Sequence, residues 1–157
     1  MIKMLNGNLF DTDAQIICHQ CNCQGVMGSG VAAEVKRRYP EVFKEYQDFC
    51  KQRGGVALGN VLFVPLKNEK RQIIANLMAQ DKYGRDKCYT DYDALCKCLS
   101  IVRDNGRDLY SGEQYKIAFP YGMGSVRGGG DWNTVYQIID EELGQYYDIE
   151  IWRLDKG

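Results

Sequence analysis

The sequence predicts an α/β fold of about six strands, partly parallel, with helices on both faces of the sheet. Apolar segments typical of strands alternate along the chain with segments whose apolar residues recur at helical spacing. No internal repeat, low-complexity tract or linker interrupts this alternation. In two places a glycine-rich loop stands between a buried strand and a helix. A length of 157 residues suits one domain, so we expect a single domain over residues 1–157.

The first half of the chain predicts two strands, two helices and two further strands. The elements are strands Ile2–Leu5 and Ala14–Cys18, helices at about Val31–Tyr39 and Pro40–Gln52, and strands Asn60–Leu66 and Gln72–Met78. A turn at Asn6-Gly7-Asn8 joins the first two strands. Pro40 marks the start of the second helix, because proline suits the first helical turn.

The second half predicts two more helices, each followed by a strand. The elements are a polar loop over residues 80–88, a helix after Thr90-Asp91, a strand Lys116–Phe119, a helix from Asp131 to about Leu143, and a strand Asp148–Leu154. Thr90-Asp91 is typical of a helix start. The apolar residues after it recur at helical spacing, and Pro120 ends the next strand.

Composition and charge limit the kinds of partner that this chain is expected to bind. A formal net charge of −1 argues against broad nucleic-acid affinity, because phosphate backbones are held mainly by excess Lys and Arg. No apolar run approaches the roughly 20 residues that a membrane span needs, and no signal peptide is evident. We therefore expect a cytoplasmic protein with no membrane partner. A small anionic ligand stays open, since backbone amides can hold it without net positive charge.

The seven cysteines do not predict a disulfide framework or a metal site. Their number is odd, and structural zinc usually takes four ligands from two separated pairs. One group of candidate ligands contains Cys18, His19, Cys21 and Cys23, and no second pair of ligands follows it along the chain. We expect no metal and no cofactor, and mostly buried apolar thiols.

Two glycine loops are the most informative feature. The first runs from Gly25 to Ala32 and the second from Gly122 to Gly130, each after a strand and before a helix. Glycines let backbone N–H groups turn towards a ligand, and the following helix adds a positive dipole end. Two facing loops of this kind would clamp a diphosphate, although glycines also simply make tight turns. The Rossmann fingerprint is not matched, because it needs an acidic residue at the end of the next strand and none stands there. The P-loop motif is also absent from the sequence.

The ordered set of motifs resembles the macro domain family. Asn6-Gly7-Asn8-Leu9-Phe10, His19-Gln20-Cys21-Asn22 and the first glycine loop are similar to the family's opening. Pro120 to Trp132 is similar to its second phosphate loop and the helix after it. The branch is the bacterial and phage type, similar to yeast ADP-ribose-1''-phosphate phosphatase and human terminal ADP-ribose glycohydrolase. This resemblance spans nearly the whole chain and implies a three-layer αβα fold around a mixed six-stranded sheet.

The resemblance implies that both glycine loops wrap the diphosphate and distal ribose of ADP-ribose or a derivative. Asn22 would face the distal ribose, and Trp152 is a candidate partner for stacking on the adenine. An ADP-ribosylated protein is a further possible partner. The candidate ligand-binding residues are Asn8, Leu9, Phe10, Asn22, Gly28, Ser29, Gly30, Val31, Ala32, Pro120, Tyr121, Gly122, Met123, Gly124, Ser125, Val126 and Trp152.

His19, Asn22 and Asp131 are the candidate catalytic residues. His19 is the only histidine and stands at the end of an apolar strand, where a hydrogen-bonded core residue is the alternative. Asp131 would activate water beside the distal ribose. Its position directly before a helix also suits a capping residue. His19 would serve as nucleophile or acid towards a 1''-phosphate.

The sequence departs from the family pattern at two positions. Asn8 stands where many macro domains have an aspartate that accepts a hydrogen bond from the adenine amino group. Met78-Ala79-Gln80 occupies the stretch where the human glycohydrolase has its reactive lysine, which argues against a lysyl intermediate. Tyr83, Tyr89 and Tyr92 cluster around the loop that would border the cleft.

Three functions remain open on the sequence. The first is a hydrolase that removes a phosphate, acyl or ADP-ribosyl group from the 1'' position. The second is a non-catalytic ADP-ribose reader. The third is an interaction module with a remodelled cleft.

Overall fold

Strands and helices alternate along the chain as the sequence predicts. The computed structural model describes residues 1–53, 57–108, 110–125 and 128–154. Its elements are β1 (Ile2–Asn6), a 3₁₀ turn (Leu9–Asp11), β2 (Ile16–Cys21), α1 (Gly30–Arg38), α2 (Pro40–Arg53), β3 (Val61–Pro65), β4 (Ile73–Met78), α3 (Tyr92–Asp104), β5 (Ile117–Pro120), α4 (Trp132–Ile139), a π-helical segment (Asp140–Gly144) and β6 (Ile149–Arg153).

The strands form one mixed six-stranded sheet in the order β1-β6-β5-β2-β4-β3. Only β3 runs antiparallel, against β4, and the other neighbours are parallel. Ile16 of β2 pairs with Ile73 of β4 on one side and with Ile117 of β5 on the other. The carboxyl ends of these three central strands therefore lie at one edge of the sheet. The loops that follow them meet there.

Two hydrophobic cores sandwich the sheet, which confirms the predicted α/β layers. Along β2, Ile16 belongs to the core beneath α3 and α4, whereas Ile17 belongs to the core beneath α1 and α2. Ala75 and Ile74 on β4 divide in the same way. Because successive side chains on a strand point to opposite faces, a strand covered on both sides is apolar throughout.

β2 is longer than the sequence predicts. It runs on to Cys21, so His19 lies within the strand and not at its end. The polar residues His19 and Gln20 end the apolar pattern, yet both find hydrogen-bond partners on neighbouring segments. The strand continues because those partners satisfy the buried polar groups.

Two shorter elements also differ from the prediction. The turn after β1 leads into the 3₁₀ turn Leu9–Asp11, because Oδ1 of Asn8 accepts a hydrogen bond from the Phe10 amide at 2.9 Å. The last helix is α-helical only to Ile139 and continues as the π-helical segment to Gly144. Among the described residues, no helix combines the length and the apolar character that crossing a membrane requires.

Candidate functional site

A cleft of about 520 Å³ opens at the carboxyl ends of β2, β4 and β5. In open α/β sheets this edge is where ligands bind. Both glycine loops contribute to it, together with the loop after β4. The lining residues are His19, Gln20, Cys21, Asn22, Val26, Gly28, Ser29, Gly30, Val31, Ala32, Gln80, Tyr83, Gly84, Arg85, Pro120, Tyr121, Gly122, Met123, Gly124 and Gly128.

Asn22 organises the first glycine loop. Its Oδ1 accepts hydrogen bonds from the Gln24 amide at 2.9 Å and from the Tyr46 hydroxyl at 2.8 Å. Its Nδ2 donates to the Val26 carbonyl at 2.8 Å. The amide group of Asn22 is thus used within the protein, while the residue still borders the cleft. Its contacts fix the turn that brings the chain back from β2 towards α1.

The N-terminus of α1 opens into the cleft. Ser29 is the N-cap residue, and its side chain makes no capping hydrogen bond. By contrast, Asp91 and Asp131 cap α3 and α4 through their side chains. The first amides of an α-helix have no intrahelical partner and carry partial positive charge. Gly30 and Val31 line the cleft at this point, so the helix start is suited to an anionic group.

The second glycine loop faces this helix start. Gly122 and Gly124 have φ angles of 76° and 77°, in the left-handed region that glycine adopts without strain. The Gly124 carbonyl accepts hydrogen bonds from the Gly130 amide at 2.8 Å and the Thr90 hydroxyl at 2.7 Å. These contacts hold Gly124 against Gly130 and Thr90 beside the cleft.

Gln20 braces the second loop from the sheet. Its Nε2 donates to Thr90 Oγ1 at 2.9 Å and to Gln80 Oε1 at 2.8 Å. A Cβ placed on Gly124 would lie 2.7 Å from Oε1 of Gln20, so the loop packs closely on this side chain. Oε1 of Gln20 is buried without a hydrogen-bond partner, the single such side-chain atom in the described part of the chain. Because it is buried, an enclosed water molecule would satisfy this acceptor.

His19 contributes to the floor of the cleft but is almost fully buried, with 1% of its surface exposed. Its Nε2 lies 2.6 Å from Oδ1 of Asn76, on the neighbouring strand. Burial lowers the pKa of His19 to about 4, against a smaller upward effect of the Asn76 hydrogen bond. The imidazole is therefore neutral at pH 7, where it has no proton to donate as an imidazolium acid.

Asp131 lies at the start of α4, directly after the second glycine loop. Its Oδ1 accepts from the Asn133 amide at 3.3 Å and its Oδ2 from the Thr134 hydroxyl at 3.0 Å. The capping role that the sequence offers as one alternative is present. The side chain is exposed and is not among the residues that line the cleft.

The cleft brings together most of the predicted binding residues and leaves others outside. Both glycine loops line it, from Gly28 to Ala32 and from Pro120 to Gly124. The predicted residues that are not part of the lining are Asn8, Leu9, Phe10, Ser125 and Trp152. Val126, also predicted, lies outside the described residues.

Trp152 and Tyr121 differ in their access to the cleft. Trp152 donates from Nε1 to Glu150 at 2.9 Å, and its ring packs closely on Gly7. Tyr121 lines the cleft with 38% of its surface exposed. The Trp132 ring lies 5.0 Å from the Tyr121 ring, and the Arg153 guanidinium lies 4.7 Å from it. Tyr121 therefore borders the cleft, whereas Trp152 does not.

The loop after β4 supplies lining residues that the sequence did not single out for binding, Gln80, Gly84 and Arg85, beside the rim residue Tyr83. Gln20 and Gly128 were also missed. The clustered tyrosines and the polar character of residues 80–88 predict that this loop borders the cleft, but nothing in the sequence indicates which of its polar residues reach the lining.

The cysteine in the cleft is not activated. Burial raises the pKa of the Cys21 thiol well above its usual range, so the thiol stays protonated. Within the described residues, no group of three or more His, Cys, Asp or Glu side chains could hold a metal ion. The cleft thus offers backbone amides, neutral amide side chains and one guanidinium, a set suited to holding a phosphorylated ligand.

A three-layer αβα fold with a ligand-sized cleft between two glycine loops defines the structural class. The model of the macro domain family matches residues 18–139, and the chain belongs to this family. The resemblance carried by the sequence motifs is thereby confirmed.

Relatives and solved structures agree with this assignment. An ADP-ribose 1''-phosphate phosphatase of Debaryomyces hansenii is 33% identical over 174 residues, which cover 96% of this chain and 97% of that protein. A DNA ADP-ribosyl glycohydrolase of Mycobacterium tuberculosis is 30% identical over 152 residues, covering 96% of this chain but only 41% of the relative's length. The structure of the macrodomain of Mycobacterium tuberculosis DarG superimposes with a TM-score of 0.76 at 28% identity, covering 100% of this chain and 99% of that one.

Proposed function

We propose that this protein binds ADP-ribose or a derivative and hydrolyses a group linked to its 1'' position. The observation that carries the proposal is the open N-terminus of α1 facing the second glycine loop across the cleft. The names of the relatives, an ADP-ribose 1''-phosphate phosphatase and a DNA ADP-ribosyl glycohydrolase, support the same class of ligand. ADP-ribosyl groups attached to protein are further possible substrates.

Binding rests on the two loops. The first-turn amides of α1 at Gly30 and Val31 approach one side of the diphosphate, and the turn at Gly122 and Gly124 approaches the other. Glycine at these points lets the phosphate oxygens come close to the backbone without a Cβ in the way. The helix dipole adds a favourable interaction with the negative charge.

Hydrolysis in this cleft uses water as the attacking group. The Cys21 thiol is protonated, and the Nε2 proton of His19 is held by Asn76. We assign Asp131 as the base that takes a proton from the water, because its carboxylate directly follows the second glycine loop. His19 is a positioning residue, which fixes β2 to β4 beneath the site. Water adds across the 1'' bond, with its hydroxyl on one product and its proton on the other.

A non-catalytic reader is the second candidate. Both carboxylate oxygens of Asp131 already accept capping hydrogen bonds, and the residue stands outside the lining of the cleft. Met78-Ala79-Gln80 also lacks a reactive lysine. A reader would bind ADP-ribose with the same loops and release it unchanged.

Calorimetric titration with ADP-ribose, with ADP as the control, tests the binding step. Micromolar binding of ADP-ribose, clearly tighter than that of ADP, is expected. Absence of binding would overturn the proposal. Turnover of ADP-ribose 1''-phosphate and of ADP-ribosylated DNA or protein then separates a hydrolase from a reader.

Asp131→Ser tests the catalytic assignment, because serine retains a capping oxygen and removes the base. Turnover should be lost while ADP-ribose affinity and stability are kept. Asp91→Ser is the matched control, since Asp91 caps α3 in the same manner through the Ala94 amide. Full turnover by Asp131→Ser would rule out Asp131 as the base.

A further inference from the structure

Arg85 is the only charged side chain among the described residues that line the cleft. The other lining groups are backbone, apolar side chains, neutral amides and hydroxyls, the protonated thiol of Cys21 and the neutral imidazole of His19. Arg85 is exposed, and none of the ion pairs within the described residues includes it. A single unpaired cation in an otherwise uncharged cleft favours an anionic group on the ligand at that point.

The loop that carries Arg85 is fixed at one end to the segment between β2 and the first glycine loop and at the other end to the second glycine loop. At one end the Asp81 carbonyl accepts a hydrogen bond from the Cys23 amide at 2.8 Å. At the other end the Tyr89 amide donates to the Gly128 carbonyl at 2.6 Å. The loop therefore borders the cleft from the segment before the first glycine loop to the second glycine loop, and Arg85 lies between these two anchors.

The acidic residues of this loop have other partners. Asp81 Oδ1 accepts from Gln24 Nε2 at 3.1 Å, and Asp86 accepts a hydrogen bond from the Tyr89 hydroxyl. Neither forms an ion pair with the guanidinium among the described contacts. The positive charge of Arg85 therefore stays available to a ligand.

We propose that Arg85 binds a phosphate group at the 1'' position and makes the cleft select 1''-phosphorylated ADP-ribose over ADP-ribose. This inference rests on the proposed function and specifies its substrate class. The two glycine loops already provide amides for the diphosphate, whereas Arg85 comes from a third loop, the one after β4. A planar guanidinium presents paired N–H donors that match two phosphate oxygens, and such charge-assisted bonds are the strong ones.

The test compares two ligands, ADP-ribose and its 1''-methylenephosphonate, in which carbon replaces the bridging oxygen and prevents hydrolysis. Calorimetry on the wild-type protein should give at least about tenfold tighter binding of the phosphonate. In Arg85→Gln that advantage should fall to less than about threefold, while ADP-ribose affinity stays within about threefold of wild type. Lys82→Gln is the matched control, because it removes the same charge from the same loop at a residue outside the cleft lining.

The outcomes are distinguishable. Equal affinity of the wild-type protein for the two ligands overturns the role of Arg85 and leaves the proposed function intact. An equal loss of both ligands in Arg85→Gln, or the same loss in Lys82→Gln, likewise overturns it. If neither ligand binds, the proposed function and this inference are overturned together.

Discussion

Nε2 of His19 lies 2.6 Å from Oδ1 of Asn76, directly across the pairing of β2 with β4. Asn76 Nδ2 donates to the Leu62 carbonyl at 2.9 Å, which fixes the orientation of the amide. Its oxygen therefore accepts, and His19 holds its proton on Nε2. This pair ties together three adjacent strands beneath the cleft, while burial keeps the imidazole neutral.

His19 should make the stability of the protein depend on pH. Its pKa is about 4 in the native state and near 6.5 when unfolded, so only the unfolded state takes up a proton as pH falls through that range. The native state should lose about 2–3 kcal/mol through this residue between pH 7 and pH 4.5. Urea unfolding of wild type and His19→Gln at both pH values measures the difference. An equal loss of unfolding free energy in the two proteins would show that the pKa of His19 is the same in the native and unfolded states.

Gly124→Ala should destabilise the protein more than Gly112→Ala. Both glycines have similar positive φ angles, 77° and 71°, so the backbone strain of alanine is matched. A Cβ at Gly124 would lie 2.7 Å from Gln20 Oε1, whereas nothing lies within 4 Å of a Cβ at Gly112. The extra cost at Gly124 should be about 1–3 kcal/mol by urea unfolding, with weaker ADP-ribose binding. Equal costs would mean that the second loop can move away from Gln20.

Much of the fold could be predicted because the strand pattern is strong. The central strands are apolar on both faces, and Thr90-Asp91 marks the start of α3 where the structure has it. The end of β2 could not be predicted, because polar residues such as His19 and Gln20 belong to a strand only when partners on other segments satisfy them. Those partners, Asn76 and Thr90, are far away in the sequence.

The glycine loops could be predicted, and so could the position of the loop after β4 at the cleft border, but the polar residues that this loop contributes could not. A glycine loop between a strand and a helix is a local pattern, so the loop from Gly122 to Gly130 can be recognised from the sequence without knowledge of the fold. Arg85 and Gln80 reach the cleft only because their loop is anchored to Cys23 and Gly128, contacts that no local pattern contains. The capping position of Asp131 was readable because a cap and its helix are neighbours in sequence.

Tyr121, not Trp152, should carry the larger share of ligand stacking. Tyr121 lines the cleft, whereas Trp152 is engaged with Glu150 and Gly7 outside the lining. We expect Tyr121→Ala to weaken ADP-ribose binding about five- to tenfold, since an aromatic contact contributes about 1 kcal/mol or more. Trp152→Phe should lower thermal stability and change affinity by less than about threefold. Calorimetry on both variants measures the two affinities. A larger loss of affinity in Trp152→Phe than in Tyr121→Ala would assign the stacking role to Trp152.

Asn8→Asp should strengthen ADP-ribose binding. The macro domain resemblance places an acceptor for the adenine amino group at this position. Oδ1 of Asn8 accepts from the Phe10 amide and keeps one lone pair for the adenine, but a neutral amide oxygen is a weaker acceptor than a carboxylate. Aspartate would keep the capping bond and present a second oxygen.

The expected gain is about two- to tenfold in affinity, measured by calorimetry. The inosine analogue of ADP-ribose is the control ligand, because it has no amino group at that position of the purine. Its affinity should stay constant or fall in Asn8→Asp, since the added carboxylate repels the diphosphate. A gain for both ligands, or for neither, would mean that residue 8 does not meet the amino edge of the base. The adenine would then lie elsewhere, with the Phe10 amide as the sole partner of Asn8 Oδ1.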